Sequence, residues 1–348
     1  VPYAPMPPEP VPAPTPLTLA EYINSWLEGY VRTKLTASSY KGYEQIMRVW
    51  WLPRLGDVPL DQLTADQIQG VITEMQERPL AATTIKVAAQ HLRTALERAV
   101  ANRVLDRNPA KVIRLPRRNP TRHTPMSQDE MRRFVHSALM PSGLGGFWWY
   151  GPAVAVGVLT GMRAGELRGL QWSGVEIGDD LEADIAGVIE VTQQIATIEK
   201  QLVFSPPKST AGTRTLPIGS DVALILDAQK QRLERHALRR GTRSWKENEL
   251  VFPAQGGGPA CPNNLRHTCR RVAEAAGIDP PPTMIGLRHT YASVMVDSGV
   301  PPHVVAELLG HADVRLTVNT YYNMTPPAQR EAVAALRRAL GEKGLGWG

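Results

Sequence analysis

Apolar residues recur at helical spacing in four stretches near the start of the chain. Leu19, Tyr22, Ile23, Trp26, Leu27 and Tyr30 follow Thr18-Leu19-Ala20-Glu21, whose first and last residues have the spacing of a capping box. The same periodicity predicts a second helix from Ser38 to about Trp51, ending before Pro53 and Gly56. Thr64-Ala65-Asp66-Gln67 is another capping box and opens a third helix to about Gln76. The fourth, Ala82 to Asn102, places Ile85, Ala88, Ala89, Leu92, Ala95, Leu96, Ala99 and Val100 on one broad face. Four amphipathic helices with short connections predict a bundle over residues 17–102.

Proline-punctuated segments flank this bundle. Residues 1–16 are proline-rich and predict a disordered tail of polyproline II character. Residues 103–125 hold Arg103, Arg107, Lys111, Arg114, Arg117, Arg118 and Arg122 against the single acid Asp106, broken by Pro109, Pro116, Pro120 and Pro125. They predict a basic interdomain linker, either simply solvated or lying along a polyanion.

A second domain is predicted over 126–340, opening with the capping box Ser127-Gln128-Asp129-Glu130. An apolar helix is expected from Phe147 to Leu159, and another from near Arg163. Residues 187–218 change to β-type spacing around a Gly/Pro-containing turn, and helices return at about 219–239, 263–276, 285–298, 301–309 and 326–340. Residues 341–348 are left as a tail. The fold class expected is mainly α in two domains, a four-helix bundle followed by an α+β domain with one small antiparallel sheet.

Composition narrows the function classes. No run of 18 apolar residues is present and no basic-then-apolar leader is visible, which predicts neither a membrane span nor a secretory signal. The two cysteines cannot build a disulfide scaffold and point to a reducing compartment. The formal net charge is +6. Residues 1–125 carry nearly all of the surplus, with 16 Lys+Arg against 11 Asp+Glu. A polyanionic partner gripped by the N-terminal third fits that distribution.

Four segments carry candidate chemistry. In Thr160-Gly161-Met162-Arg163-Ala164-Gly165-Glu166 a glycine ends one helix and an arginine starts the next. Helix dipoles disfavour a cation there, so Arg163 is retained for another purpose, with Glu166 placed to hold its guanidinium. Pro206-Pro207-Lys208-Ser209-Thr210-Ala211-Gly212 puts a lysine in a turn between strands. Leu287-Arg288-His289-Thr290 lies on a helix, where His289 reads as an interior histidine with a structural partner. Gly310-His311 closes the next helix, and Thr320-Tyr321-Tyr322 follows ten residues on. In order, Arg, Lys, Arg, His and Tyr make a metal-free phosphoryl-transfer set. Arginines clamp a phosphate, a lysine protonates a leaving alkoxide, and a tyrosine attacks phosphorus. Cys261, His267 and Cys269 are close in sequence, but the last two face apart on a helix and make a poor metal site.

The catalytic half resembles the tyrosine recombinases, or phage integrase family, through TGMRAGELRGLQW at 160–172, Lys208 in its turn, LRHTYAS at 287–293 and LLGHADVRLTVNTYY at 308–322. The bundle resembles that family's helical, SAM-like core-binding domain. The resemblance implies a site-specific recombinase that cuts and rejoins DNA through a 3′-phosphotyrosine, without metal, ATP or other cofactor. It assigns Arg163 and Arg288 to the phosphate, Lys208 to general acid, His311 to a phosphate contact and Tyr321 to nucleophile. Ile285 stands where the family usually has His or Lys, three residues before the second arginine. The implied partners are double-stranded DNA recombination sites, a homotetramer formed on DNA and an accessory directionality factor, with no membrane. The implied location is cytoplasmic and nucleoid-associated. The apolar stripe Ala332, Val333, Leu336, Ala339 and Leu340 packs either on its own domain or on a neighbouring protomer. Two other readings stay open: a type IB topoisomerase-like strand transferase, and a catalytically weakened DNA-binding protein.

Overall fold

The structure, a computed structural model, describes residues 16–117, 124–142, 146–181, 184–198, 201–207, 209–240 and 249–315. Residues 1–15 of the expected tail, Lys208, Tyr321, the expected helix at 326–340 and the tail 341–348 lie outside the described residues. The chain divides into two compact units, Val1–Thr121 and Arg122–Gly348.

In the first unit, α1 (Leu19–Trp26) starts at the expected capping box. Thr18 Oγ accepts from the Glu21 amide at 3.2 Å and the Glu21 carboxylate accepts from the Thr18 amide at 2.9 Å. The helix continues through a π-helical stretch (Leu27–Val31) into α2 (Arg32–Lys34). The second helix, α3 (Ala37–Ile46), likewise passes through a π-helical stretch (Met47–Trp51) into α4 (Leu52–Leu55), so it runs past Pro53 rather than stopping before it. The physical reason is local: Pro53 has no N–H to offer, and the Arg54 side chain donates instead to the Val49 and Trp50 carbonyls at 3.0 and 3.1 Å. With α5 (Ala65–Glu77) and α6 (Ala82–Ala101) these helices bury Leu19, Ile23, Trp51, Ile72, Leu92 and Leu96 completely. Trp51 and Tyr22 enter that core with their polar tips satisfied, by the Ala88 carbonyl at 3.1 Å and the Ala95 carbonyl at 2.9 Å. Burial pushes the Tyr22 phenol up to about 12.

Much of the segment read as a linker is fastened to the bundle. Asn108 donates to the Arg93 carbonyl at 3.0 Å, Arg93 donates to the Ala110 carbonyl at 3.0 and 3.2 Å, and Gln69 exchanges two hydrogen bonds with the Arg114 backbone. Leu105, Ile113 and Leu115 pack on the bundle core. Among its described residues, prolines limit this segment to one short 3-10 turn (Pro109–Lys111) but do not prevent burial.

The second unit is organised on α8 (Gly151–Thr160), whose sequence GPAVAVGVLT is apolar on every side and is accordingly buried on nearly every side. Around it pack α7 (Gln128–Leu139), α10 (Ser220–Arg240), α11 (Pro262–Ala275) and α12 (Met284–Asp297). α8 begins at Gly151 rather than Phe147, because Gly146–Phe147 (β2) pair with Pro141–Ser142 (β1) and Pro152 suits a first helical turn. Among the described residues the expected single sheet is three small antiparallel ones. β3 (Val175–Ile177), β4 (Gly187–Val191) and β7 (Arg214–Ile218) form the first, in the order β3-β4-β7. β5 (Gln194–Ile198) and β6 (Gln201–Ser205) form a separate hairpin, in which Gln194 opposes Ser205. Gln193 causes the separation, donating to the Gly169 carbonyl at 2.9 Å and to Gln171 Oε1 at 2.7 Å and turning the chain away from β4.

Candidate active site

Three chain corners meet at one place in the second unit. α8 ends at Gly161, with φ +65°, where an added Cβ would lie 2.6 Å from the Tyr291 ring and 2.8 Å from Leu309. The chain reverses there and delivers Arg163 as the N-cap of α9 (Ala164–Gly169). The cation's poor position is offset by Glu166, whose carboxylate accepts from the Arg163 amide at 2.9 Å and from its Nη1 at 2.7 Å. Nη2 of Arg163 donates to the Gly310 carbonyl at 3.0 Å, and the side chain remains 38% exposed.

Glu166 itself is 1% exposed and serves a second cation, Arg214 at the start of β7. Arg214 Nη2 meets Glu166 Oε2 at 2.9 Å, Nη1 meets Oε1 at 3.3 Å, and Nε donates to the Leu308 carbonyl at 2.7 Å. Burial alone would push the Glu166 carboxyl up; the Arg214 and then Arg163 contacts outweigh it and hold the group below its ordinary range. Arg288, on α12, is buried and donates to the Gly161 carbonyl at 2.9 Å and the Leu309 carbonyl at 2.6 Å. The next helix, α13 (Pro302–Leu309), ends at Gly310 with φ +66°, and His311 follows. Burial first, then the fields of Arg288, Arg163, His289 and Arg214, push the His311 imidazole down to about 4, so it is neutral at pH 7.

Arg163, Arg288 and His311, picked from sequence, thus lie at one locus: the arginines donate to the neighbouring carbonyls of Gly310 and of Gly161 and Leu309, and their fields reach His311. Lys208 and Tyr321 lie outside the described residues. Described residues close to Lys208 in sequence border the locus: the Ala211 carbonyl lies 2.6 Å from where a Gly310 Cβ would be, and Pro207 closes tightly on Gly212. Ile285, one turn before Arg288, is 65% exposed. Sequence reasoning missed Arg214, because an arginine in a short amphipathic strand has no local mark of its role. Away from the site, Cys269 is buried with its thiol pushed up to about 12, and Cys261 is exposed. Among the described residues no group of three or more His, Cys, Asp or Glu is placed to hold a metal ion.

Comparison with known proteins places the family and the fold. Residues 148–327 match the phage integrase family, and residues 18–76 match the N-terminal SAM-like domain of phage integrases. The chain is 27% identical over 335 residues to the tyrosine recombinase XerC-like protein of Caldanaerobacter subterraneus, covering 92% of this chain and 83% of that one. An integrase of Streptomyces ambofaciens is 24% identical over 90% of this chain and 78% of its own. In fold, the chain is similar to the Tn1549 transposon integrase in complex with a circular intermediate DNA (TM-score 0.75, 18% identity, 92% of this chain and 99% of that one). It is also similar to a lambda integrase tetramer bound to a Holliday junction (TM-score 0.61, 18% identity, 88% and 78%). The family match spans more than half of the chain. The protein therefore belongs to the phage integrase family and is a tyrosine site-specific recombinase acting on DNA.

Proposed function

We propose that this chain cuts and rejoins duplex DNA at recombination sites through a covalent bond between Tyr321 and a 3′ phosphate. Arg163 and Arg288 hold the scissile phosphate. The Tyr321 oxygen forms a bond to phosphorus as the bond to the 5′ oxygen breaks, and Lys208 gives that oxygen its proton. The Tyr321 proton passes to solvent water as the phenol ionises, helped by the field of Arg163, Arg214 and Arg288, which favours phenolate. His311, neutral at pH 7, donates an N–H to a non-bridging oxygen rather than acting as a cation. The phosphotyrosine keeps the phosphodiester energy, so the freed 5′ hydroxyl of a partner strand reseals the backbone by the reverse step without ATP.

The convergence of Arg163 on the Gly310 carbonyl and of Arg288 on those of Gly161 and Leu309, with His311 next in the chain and within the field of both, carries this reading. Two guanidiniums and a neutral imidazole concentrated around one corner suit a phosphodiester anion. Residues 17–102 and the cations of 103–125 grip the flanking duplex. The active assembly is a tetramer on two paired sites, as in the lambda integrase tetramer bound to a Holliday junction.

Trapping on a nicked suicide substrate tests the assignment. Tyr321 and Tyr322 are neighbours. Tyr321→Phe should abolish the covalent complex and Tyr322→Phe should leave it. Peptide mapping that finds the nucleotide on Tyr322 would reverse the choice, and a wild-type chain that forms no adduct would refute the cleavage reading.

A further inference from the structure

The second unit carries a groove of about 600 Å³ between α7, α8 and α10 that has no part in the arginine cluster described above. Its floor is apolar, with Leu139, Pro152, Leu224 and Ile225, and Leu224 is 50% exposed. Its rim is cationic. Arg232, Arg235 and Arg239 recur along one face of α10, and no Asp or Glu is among the described residues lining the groove. Arg232 is the telling member. Its Nη1 and Nη2 donate to the Trp148 and Trp149 carbonyls at 3.4 and 2.7 Å, its guanidinium lies 4.9 Å from the Trp149 ring centre, and its buried Nε has no partner among the described residues. No carboxylate neutralises it among the described residues, and burial pushes it down to about 10. Arg214, equally deep in the fold, has Glu166. A cation held in an apolar wall without a counter-ion gains most from a carboxylate brought by a ligand.

We propose that this groove docks an acidic amphipathic helix of a partner protein, its apolar side chains on Leu224 and Ile225 and its carboxylates on Arg232, Arg235 and Arg239. The spacing of the three arginines along α10 suits carboxylates repeated at helical spacing on a second helix laid beside it. The chain's own C-terminal segment, 326–348, has the wrong sign, with four Lys+Arg against two Glu. Duplex DNA would meet the arginines, but it has no apolar face for the half-exposed Leu224.

The probe is a fluorescein-labelled helical peptide with Leu at i, i+3, i+4 and i+7 of each repeat and Glu at the other positions, beside its Lys-for-Glu counterpart. Fluorescence anisotropy with the full chain should show the Glu peptide binding at least tenfold more tightly. Arg235→Glu/Arg239→Glu and, separately, Leu224→Asp should each weaken it at least tenfold, with thermal melts matching the parent. The same reversals at Arg107 and Arg114 on the other unit should leave it bound, which separates the groove from overall charge. Equal binding of both peptides, or groove variants that bind as the parent does, would overturn the proposal. So would a groove variant that instead lowers affinity for a non-specific duplex and flattens its salt dependence, or one that abolishes self-association seen by sedimentation.

Discussion

Glu166→Gln removes a charge shared by two arginines while keeping the shape of the side chain. Glu166 and Arg214 are 1% and 6% exposed, and breaking a buried pair by removing one partner costs about 3–5 kcal/mol. The Arg163 contact adds under about 1 kcal/mol, because that side chain is 38% exposed and water screens it. Glutamine keeps one acceptor oxygen, which places the loss near the lower end, about 3 kcal/mol. In a unit of this size that is about 6–12 °C in melting temperature. Arg214→Met should cost a similar amount. The double variant should lose at least about 2 kcal/mol less than the two single losses together, because neither charge is then stranded. Calorimetry of the four proteins measures this directly. The carboxyl is held low in the folded state, so its contribution is present above pH ~4.3 and fades as pH falls through the folded value. The gap between parent and Glu166→Gln should accordingly close in acid. Without its backing, Arg163 should also misplace the phosphate, slowing suicide-substrate cleavage by about 10²-fold. Additive losses, or a Glu166→Gln protein that melts and cleaves like the parent, would refute the reasoning.

Three further outcomes follow from the same site. Gly310→Ala forces a side chain into a left-handed backbone, about 1–2 kcal/mol, and against the Ala211 carbonyl, whereas Gly277→Ala has the same φ with nothing within 4 Å; melts should show the larger loss at Gly310, and equal losses would dismiss the contact. His311 should titrate near pH 4 by NMR, its stabilising contribution full above pH ~6.5 and lost as pH falls toward 4; a phosphate in the site should raise that value, so DNA binding should take up a proton near pH 5–6, and a His311 titration unmoved by DNA would remove it from the phosphate. Ile285→His should leave melting unchanged at this 65% exposed position and speed cleavage by up to ~10²-fold, while an unchanged rate would make the position irrelevant to the chemistry.

Local signals in the sequence were reliable where the physics is local. All three capping boxes, at Thr18, Thr64 and Ser127, form as their spacing predicts, since each needs only residues three apart. The left-handed ends at Gly161 and Gly310, next to Arg163 and His311, follow equally from short segments. What could not be read is tertiary. Nothing near Arg214 marks it as the second partner of Glu166, 48 residues away. Hydrophobic spacing does not distinguish a π-helical stretch from an α-helical one, so Leu27–Val31 and Met47–Trp51 passed as ordinary helix. The separation of β5–β6 from β4 was not legible because Gln193 acts through contacts with Gly169 and Gln171, more than twenty residues away, and the two-residue strands β1 and β2 are too short to show an alternation.

The carbonyl anchors of the two arginines have a bearing on synthesis. Arg288 holds Gly161 from 127 positions away, and Arg163 reaches Gly310 across 147. Contacts of such separation close late, after shorter-range structure has formed. On the ribosome, a chain that has not yet released Leu309 and Gly310 has its arginines but not the backbone that orients them. The nascent protein is thus unable to grip a phosphate until its second unit is essentially complete, and an abandoned fragment ending before that point would carry the charges of a DNA-cutting enzyme without its geometry.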